Sequence, residues 1–314
     1  MKIGIIGYRR HAKNHIIILQ KLNQVSSIIV FHPNKKIANV TNSFEHILDC
    51  DGVIITSPTN THLGYIRRLS ENKFYGKIYL EKPGFTTLEE SKELVELQSE
   101  FKLDITIGYH FPYQKRIQRI YELLNTNKYG LPLSIDIYLS KGISYKQWFR
   151  KDWRCNDKLS VAHTGLSHAL SIYLFLFGAN KCNSIETRVF YNSDSKFFDT
   201  AVAQSIDNIP AFKALFSWGA PYIDSKIDII TSNSLISCEG DELIVRYPRD
   251  TFNEEGHYIS PLTHIEENIP HEGIEPSLSS FISSVITNKP FDDDNFRRSI
   301  IVGQLCLEAK TIYN

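Results

Sequence analysis

The chain lacks most of the features that would place it quickly. Cysteine is scarce: Cys50, Cys155, Cys182, Cys238 and Cys306 are odd in number and far apart. They lack the paired spacing of a zinc site, so no metal is expected. Unpaired thiols of this kind fit a reducing, cytoplasmic setting. There is no excess of charge of either sign, because 35 Lys and Arg balance 35 Asp and Glu. That balance gives no support to a nucleic-acid partner. Long apolar runs are missing as well. The most apolar stretch, residues 169–177, is too short to cross a bilayer, which takes about 20 residues. No signal peptide is read ahead of the first predicted strand, at residues 2–6. Internal repeats and low-complexity segments are absent too.

What remains is an ordinary globular composition, 42% apolar and 22% charged, in 314 residues, enough for two domains. The first part alternates strands and helices. Strands read at 2–6, 27–31, 52–56, 77–80 and 103–107, and helical patterns at 12–22, 61–70 and 88–100. Strands alternating with helices mean βαβ units and a parallel sheet. Near-continuous Ile/Val runs in those strands agree, since both faces of such a sheet are covered.

The second part reads differently. A helix at 112–124 leads to a strand at 131–139, and an apolar helix follows at 162–177. Strands then succeed one another at 184–191, 201–206, 211–218, 226–231, 234–239 and 242–247. Asn208, Gly219-Ala220-Pro221, Asn233 and Gly240-Asp241 punctuate them as turns. Helices at 277–287 and 294–313 close the chain. The fold class is therefore α/β: an N-terminal parallel-sheet domain, then a C-terminal α+β domain with a large open, mostly antiparallel sheet. The boundary falls near 108–125 and gives domains of 1–115 and 116–314.

Five segments carry candidate chemistry. Gly7-Tyr8-Arg9-Arg10-His11-Ala12 joins the first strand to the first helix, the setting of a dinucleotide phosphate loop. Gly7 permits the tight turn, Ala12 permits close helix packing, and the helix N-terminus attracts a pyrophosphate. Arg9 stands where the second glycine of the fingerprint is usual, so a plain strand–helix turn is the alternative. At the end of the second strand, where an NAD site usually carries a carboxylate, the chain has His32, followed by Lys35 and Lys36. No acid there repels a 2′-phosphate and the lysines attract one, so NADP is favoured over NAD; a plain surface loop is the alternative.

Ser57-Pro58-Thr59-Asn60-Thr61-His62 could wall the same cleft, or serve only as a turn with Asn60 as helix cap. Glu81-Lys82-Pro83 aims a lysine from the end of a strand, the edge where open α/β sheets bind ligands. Its apolar neighbours Tyr79, Leu80 and Phe85 make it a candidate for proton chemistry rather than a solvated charge. His168, ahead of the run 172–177, is either a satisfied core histidine or a general acid/base. Trp148, Trp153 and Arg154 just upstream could line a pocket or simply pack.

Taken together these residues resemble the Gfo/Idh/MocA family of NAD(P)-dependent oxidoreductases over almost the whole chain. The marks are Gly4-Ile5-Ile6-Gly7 with His15 eight residues later, the Ser57-Pro58 to His62 loop, Glu81-Lys82-Pro83, Gly108-Tyr109, and His168 with Gly178 ending its helix. The resemblance implies a Rossmann domain followed by an α/β domain whose open sheet joins homo-oligomers, dimers or tetramers. It implies hydride transfer at a carbinol carbon of a sugar, nucleotide-linked sugar or cyclitol, with no membrane partner. By this resemblance Lys82 contacts the substrate hydroxyl and the nicotinamide, and His168 exchanges the proton. Gly7, Arg9, Arg10 and Ala12 form the phosphate loop, with His32 and Lys35 at the ribose-discriminating position. Ser57, Pro58, Asn60, His62 and Glu81 lie beside the ribose and nicotinamide. Tyr109, Arg154 and Thr164 join Lys82 and His168 as substrate-binding candidates.

The chain departs from the family where Thr164 and Ser171 replace two usual aspartates and Lys158-Leu159-Ser160 replaces a Gly-rich run. Threonine cannot act as a base near neutral pH, which leaves His168 as the proton carrier. The leading expectation is an NAD(P)-dependent dehydrogenase or reductase acting on CH–OH groups. The alternative is a dinucleotide-binding sensor without turnover, motivated by Arg9 and Thr164.

Overall fold

A computed structural model describes residues 1–34, 40–126, 128–247 and 252–313. These residues form two compact units, Met1–His110 with Gly273–Leu307, and Phe111–Glu272 with the segment from Glu308 onward. The first unit begins with β1 (Lys2–Ile6), α1 (Arg10–Leu19), β2 (Ser27–Phe31), β3 (Val40–Thr41), α2 (Glu45–Leu48) and β4 (Gly52–Ile55). It continues with α3 (His62–Glu71), β5 (Lys77–Leu80), α4 (Leu88–Glu100) and β6 (Asp104–Ile107). The strands lie in the order β3-β2-β1-β4-β5-β6, every pair parallel. The order reverses beside β1, and the crevice at the C-terminal strand ends there is where such sheets take ligands.

Local chemistry explains these elements. Strands β4 and β5 are buried at every position, as apolar runs sandwiched between helix layers must be. Helix α1 buries Ala12, His15 and Leu19, one stripe at helical spacing. Helix α4 starts where the Thr87 hydroxyl accepts the Glu90 N–H, while the Glu90 carboxylate accepts the Thr86 N–H and hydroxyl.

The expected domain of residues 116–314 differs from the structure in one respect. Helices Glu275–Thr287 and Asp293–Leu307 pack within the first unit. Leu278, Phe281 and Ile282 complete a buried core with Ile3, Ile5, Val30, Ile54 and Tyr79. A parallel sheet needs both faces covered, and here the chain returns from far away to supply part of that cover.

The second unit contains α5 (Lys115–Asn125), β7 (Pro132–Ser140), α6 (Gln147–Arg150), a π-helical turn over Ala162–Leu166 and α7 (Ser167–Phe177). Then follow β8 (Glu186–Asn192), β9 (Phe197–Ser205), β10 (Ala211–Ser217), β11 (Ile223–Thr231), β12 (Leu235–Glu239), β13 (Glu242–Tyr247), β14 (Leu262–Asn268) and β15 (Lys310–Ile312). They form one sheet, β14-β13-β12-β11-β7-β10-β9-β8-β15. Pairs β7–β10 and β8–β15 are parallel and the others antiparallel. Ile135, Ile137, Ala214, Phe216, Ile227 and Ile229 alternate into the face that packs on the helices.

Two expectations fail here. The last helix was expected over 294–313, but it stops at Leu307, and Lys310–Ile312 pairs with Arg188–Phe190 as an edge strand. Strand β14 went unread because it is a polar edge strand with no buried position to give an alternating signal.

Candidate functional site

The C-terminal ends of β1, β2 and β4 enclose a cleft of about 120 Å³. Gly7, Arg9, His32, Ser57 and Pro58, all named from the sequence, line it with Tyr8, Pro33, Thr56, Thr61 and Tyr65. Gly7 holds φ at +115°, and a Cβ there would meet Ser57 N at 2.9 Å and Thr56 Oγ1 at 2.8 Å. The phosphate loop and the Ser57 loop therefore abut with no room for a side chain between them. Arg10 opens α1 on the surface, and the first turn of α1 carries no acid. Ala12 is buried, consistent with close helix packing. His32 Nδ1 accepts the Asn34 N–H at 3.2 Å. Lys35 and Lys36 lie outside the described residues.

These groups suit a dinucleotide: a backbone cradle that a Cβ would fill, a helix N-terminus free of acids, and arginines at the mouth. Tyr8 and Thr61 sit inside motifs already singled out. Tyr65 stands one turn into α3, and only the fold brings it to the cleft. Asn60 is exposed, and the N-cap position of α3 is Thr61. The Thr61 hydroxyl donates instead within its own turn, with Ser57 Oγ at 2.8 Å and the Pro58 carbonyl at 2.7 Å.

Glu81-Lys82-Pro83 leaves the end of β5 with a cis Lys82–Pro83 peptide. The Glu81 N–H continues the sheet pattern by donating to the Ile55 carbonyl at 2.9 Å. Its carboxylate is 13% exposed and accepts His15 Nε2–H at 2.6 Å and the Lys82 N–H at 3.1 Å. Burial alone would raise the Glu81 carboxyl, but the His15 bond and the charges of His15, His11 and Lys82 outweigh it, holding it down at about 2. Glu81 is thus ionised and paired with His15. His62 is also buried, and its Nε2–H donates to the Ser57 carbonyl at 2.9 Å. Burial holds its pKa down, partly opposed by that bond and by the nearby Pro83 and Gly84 backbone.

Tyr109 is buried, and burial, reinforced by Cys306, pushes its hydroxyl well above the usual range. Burial pushes the Cys306 thiol up to about 12 despite the Lys82 charge. Among the described residues no group of three or more His, Cys, Asp or Glu could hold a metal ion, and no helix could cross a membrane.

In the second unit, Thr164 and His168 stand one turn apart on the segment from Ala162 to Phe177. Both are partly exposed while most of their neighbours are buried. The π-helical turn that holds Thr164 is a feature often found at functional sites. The Thr164 hydroxyl donates to the Ser160 carbonyl at 2.7 Å, and the His168 ring lies 4.8 Å from that of Phe111. Ser171, in place of a usual aspartate, donates to the His168 carbonyl at 2.7 Å. Arg154 is engaged locally, its guanidinium forked onto Asp152 at 2.8 and 2.9 Å. Trp148 and Trp153 are exposed at the surface.

Comparison with known proteins gives the family context. Residues 1–109 match the GFO_IDH_MocA family, described as an oxidoreductase family with an NAD-binding Rossmann fold. The chain is 27% identical over 152 residues, 43% of each chain, to an inositol 2-dehydrogenase/D-chiro-inositol 3-dehydrogenase of Lacticaseibacillus casei. The chain spans about half the length of the curated relatives it matches. Among solved structures it resembles a UDP-N-acetylglucosamine 3-dehydrogenase of Acidithiobacillus ferrooxidans, with a TM-score of 0.75 at 17% identity over 98% of this chain and 97% of that one. It also resembles KijD10, a 3-ketoreductase of Actinomadura kijaniata solved with NADP and TDP-benzene, with a TM-score of 0.75 at 14% identity over 100% and 99% of the two chains. At these identities the structural likenesses establish the fold.

Proposed function

We propose that this chain, whose residues 1–109 belong to the Gfo/Idh/MocA oxidoreductase family, interconverts a carbinol and a keto carbon on a sugar, nucleotide-linked sugar or cyclitol with NADP. The observation that carries the reading is Lys82, placed at the ligand-binding edge of a parallel sheet beside an ionised Glu81. An inositol dehydrogenase and a UDP-N-acetylglucosamine dehydrogenase among the similar proteins support the substrate class. NADP over NAD is supported by a cleft whose lining, among the described residues, contains Arg9 and no carboxylate. A cytoplasmic setting belongs to the same reading, from five free cysteines.

A bound nicotinamide dinucleotide would supply the hydride acceptor or donor. The chain's own residues would manage the oxygen and its proton. The Lys82 ammonium donates to the reacting oxygen and stabilises the charge that develops there. His168 takes the hydroxyl proton in oxidation and returns it in reduction. Thr164, whose hydroxyl donates to the Ser160 carbonyl, contributes to substrate binding rather than to proton transfer.

The test is nicotinamide absorbance at 340 nm across sugars, nucleotide-linked sugars and cyclitols. With a turned-over substrate, Lys82→Ala and His168→Ala should each lower kcat by about 10²–10⁴-fold. Full activity in Lys82→Ala would sink the assignment. NADPH bound tightly but never oxidised by any carbonyl compound in the panel would favour the sensor reading. Calorimetric titration should show NADPH binding more tightly than NADH; the reverse order would refute the choice of NADP.

The outer face of the nine-stranded sheet carries partly exposed Tyr138, Val202, Leu215 and Ile230 among Asp136 and Lys213. We read that face as the contact of a homo-oligomer. A monomer by mass photometry at micromolar concentration would rule this out.

A further inference from the structure

Two histidines of the first unit are buried beside the Lys82 turn, and the reaction proposed above uses neither. His15 lies in α1, the helix that opens at the phosphate loop, and is 0% exposed. Its Nε2 meets the Glu81 carboxylate at 2.6 Å, 66 positions along the chain. The other Glu81 oxygen accepts the Lys82 N–H. His62 opens α3 and is 1% exposed. Its Nε2–H donates to the Ser57 carbonyl, and the backbone of Pro83 and Gly84 lies near the ring, although the buried Nδ1 makes no hydrogen bond among the described residues.

We propose that His15 and His62 are positioning residues that brace the Lys82 turn against the two walls of the cofactor cleft, so that filling the cleft fixes Lys82. The proposal rests on reading the cleft as a dinucleotide site. Its physics is that of a short polar chain in a buried setting. Glu81 cannot swing away without leaving a buried carboxylate unpaired, a costly state. The position of α1 therefore sets the carboxylate, and the carboxylate sets the Lys82 amide. Similarly, His62 carries the position of the Ser57 loop to the residues just after the lysine. A phosphate bound at Gly7–Ala12 would order the loop and α1, and the brace would pass that order to Lys82 with no contact between ligand and lysine.

The probe is 2′-phospho-ADP-ribose, which can fill the phosphate and adenosine end but carries no nicotinamide. Calorimetry establishes saturation, and hydrogen–deuterium exchange reads the amides. In the unsubstituted protein the probe should slow exchange at residues 8–13 and also at Lys82 and Gly84, by about tenfold. In His15→Leu the slowing should remain at 8–13 and disappear at Lys82. His15→Gln keeps an N–H near the Nε2 position and should restore it, an outcome that lost packing alone would not produce. In His62→Leu the slowing at Gly84 should disappear. Undiminished protection of Lys82 in saturated His15→Leu would overturn the proposal, as would equal behaviour of the Gln and Leu variants. Failure of the unsubstituted protein to bind the probe would overturn the cleft reading, and the proposal with it, and calorimetry registers that outcome separately.

Discussion

Two opposing effects act on the Glu81 carboxylate. Burial disfavours its charge, while His15, His11 and Lys82 favour it and hold the carboxyl at about 2, below its ordinary 4.5. A folded pKa below the unfolded value means stability present above about pH 4.5 and lost as pH falls towards 2. Between pH 5 and pH 3 that loss amounts to about 2 kcal/mol for this one group. We expect urea denaturation to show the wild type losing about that much more over this interval than His15→Gln/Glu81→Gln, in which neither member of the pair titrates. Equal losses would remove the claim that Glu81 is charged in the folded state. The sequence announced the lysine here, because Glu-Lys-Pro at a strand end is a local pattern. It was silent on the partner of Glu81, since 66 positions separate His15 from Glu81 and no periodicity spans that distance. His62 was legible as part of a loop motif, but its burial against Ser57 depends on how α3 enters the sheet.

At the scale of elements, legibility followed how much of the signal was local. Helix α4 was read with its observed bounds because Thr87 and Glu90 mark its start and an apolar stripe follows. Strand β5 was equally clear, being apolar and buried at every position. The π-helical turn at Ala162–Leu166 was read as ordinary helix. A Cβ on Gly165 would lie 2.1–2.3 Å from ring atoms of Phe216 on β10. The turn that presents Thr164 thus packs so closely on the sheet that only glycine fits. Gly165→Ala should destabilise the protein by the cost of overpacking, about 1–3 kcal/mol, visible as a lower thermal midpoint. Adding Phe216→Leu should recover part of that loss by making room. An unchanged midpoint in the single variant would show that the turn shifts freely and that the close approach is not a constraint.

For the molecule as a whole, the informative fact is that the first unit is discontinuous in sequence. Composition and the order of elements showed two kinds of architecture, parallel then mostly antiparallel, and both are present. They could not show that Gly273–Leu307 returns to the first unit, because a helix with one apolar face reads the same whichever sheet it covers. The consequence for stability is direct. Leu278, Phe281 and Ile282 are at most 3% exposed in the core of the parallel sheet, and each is worth about 1.5–3 kcal/mol when buried. Their removal would cost roughly 5–9 kcal/mol, comparable with the whole stability of a typical domain, about 5–15 kcal/mol. Residues 1–110 expressed alone should therefore fail to fold, although they contain every strand of the parallel sheet and match the family over nearly their full length. The same residues joined by a flexible linker to 273–307 should give cooperative thermal unfolding and dispersed amide resonances. A well-folded 1–110 fragment would mean that the returning helices decorate the first unit rather than complete it, and would reinstate the simpler boundary near residue 115.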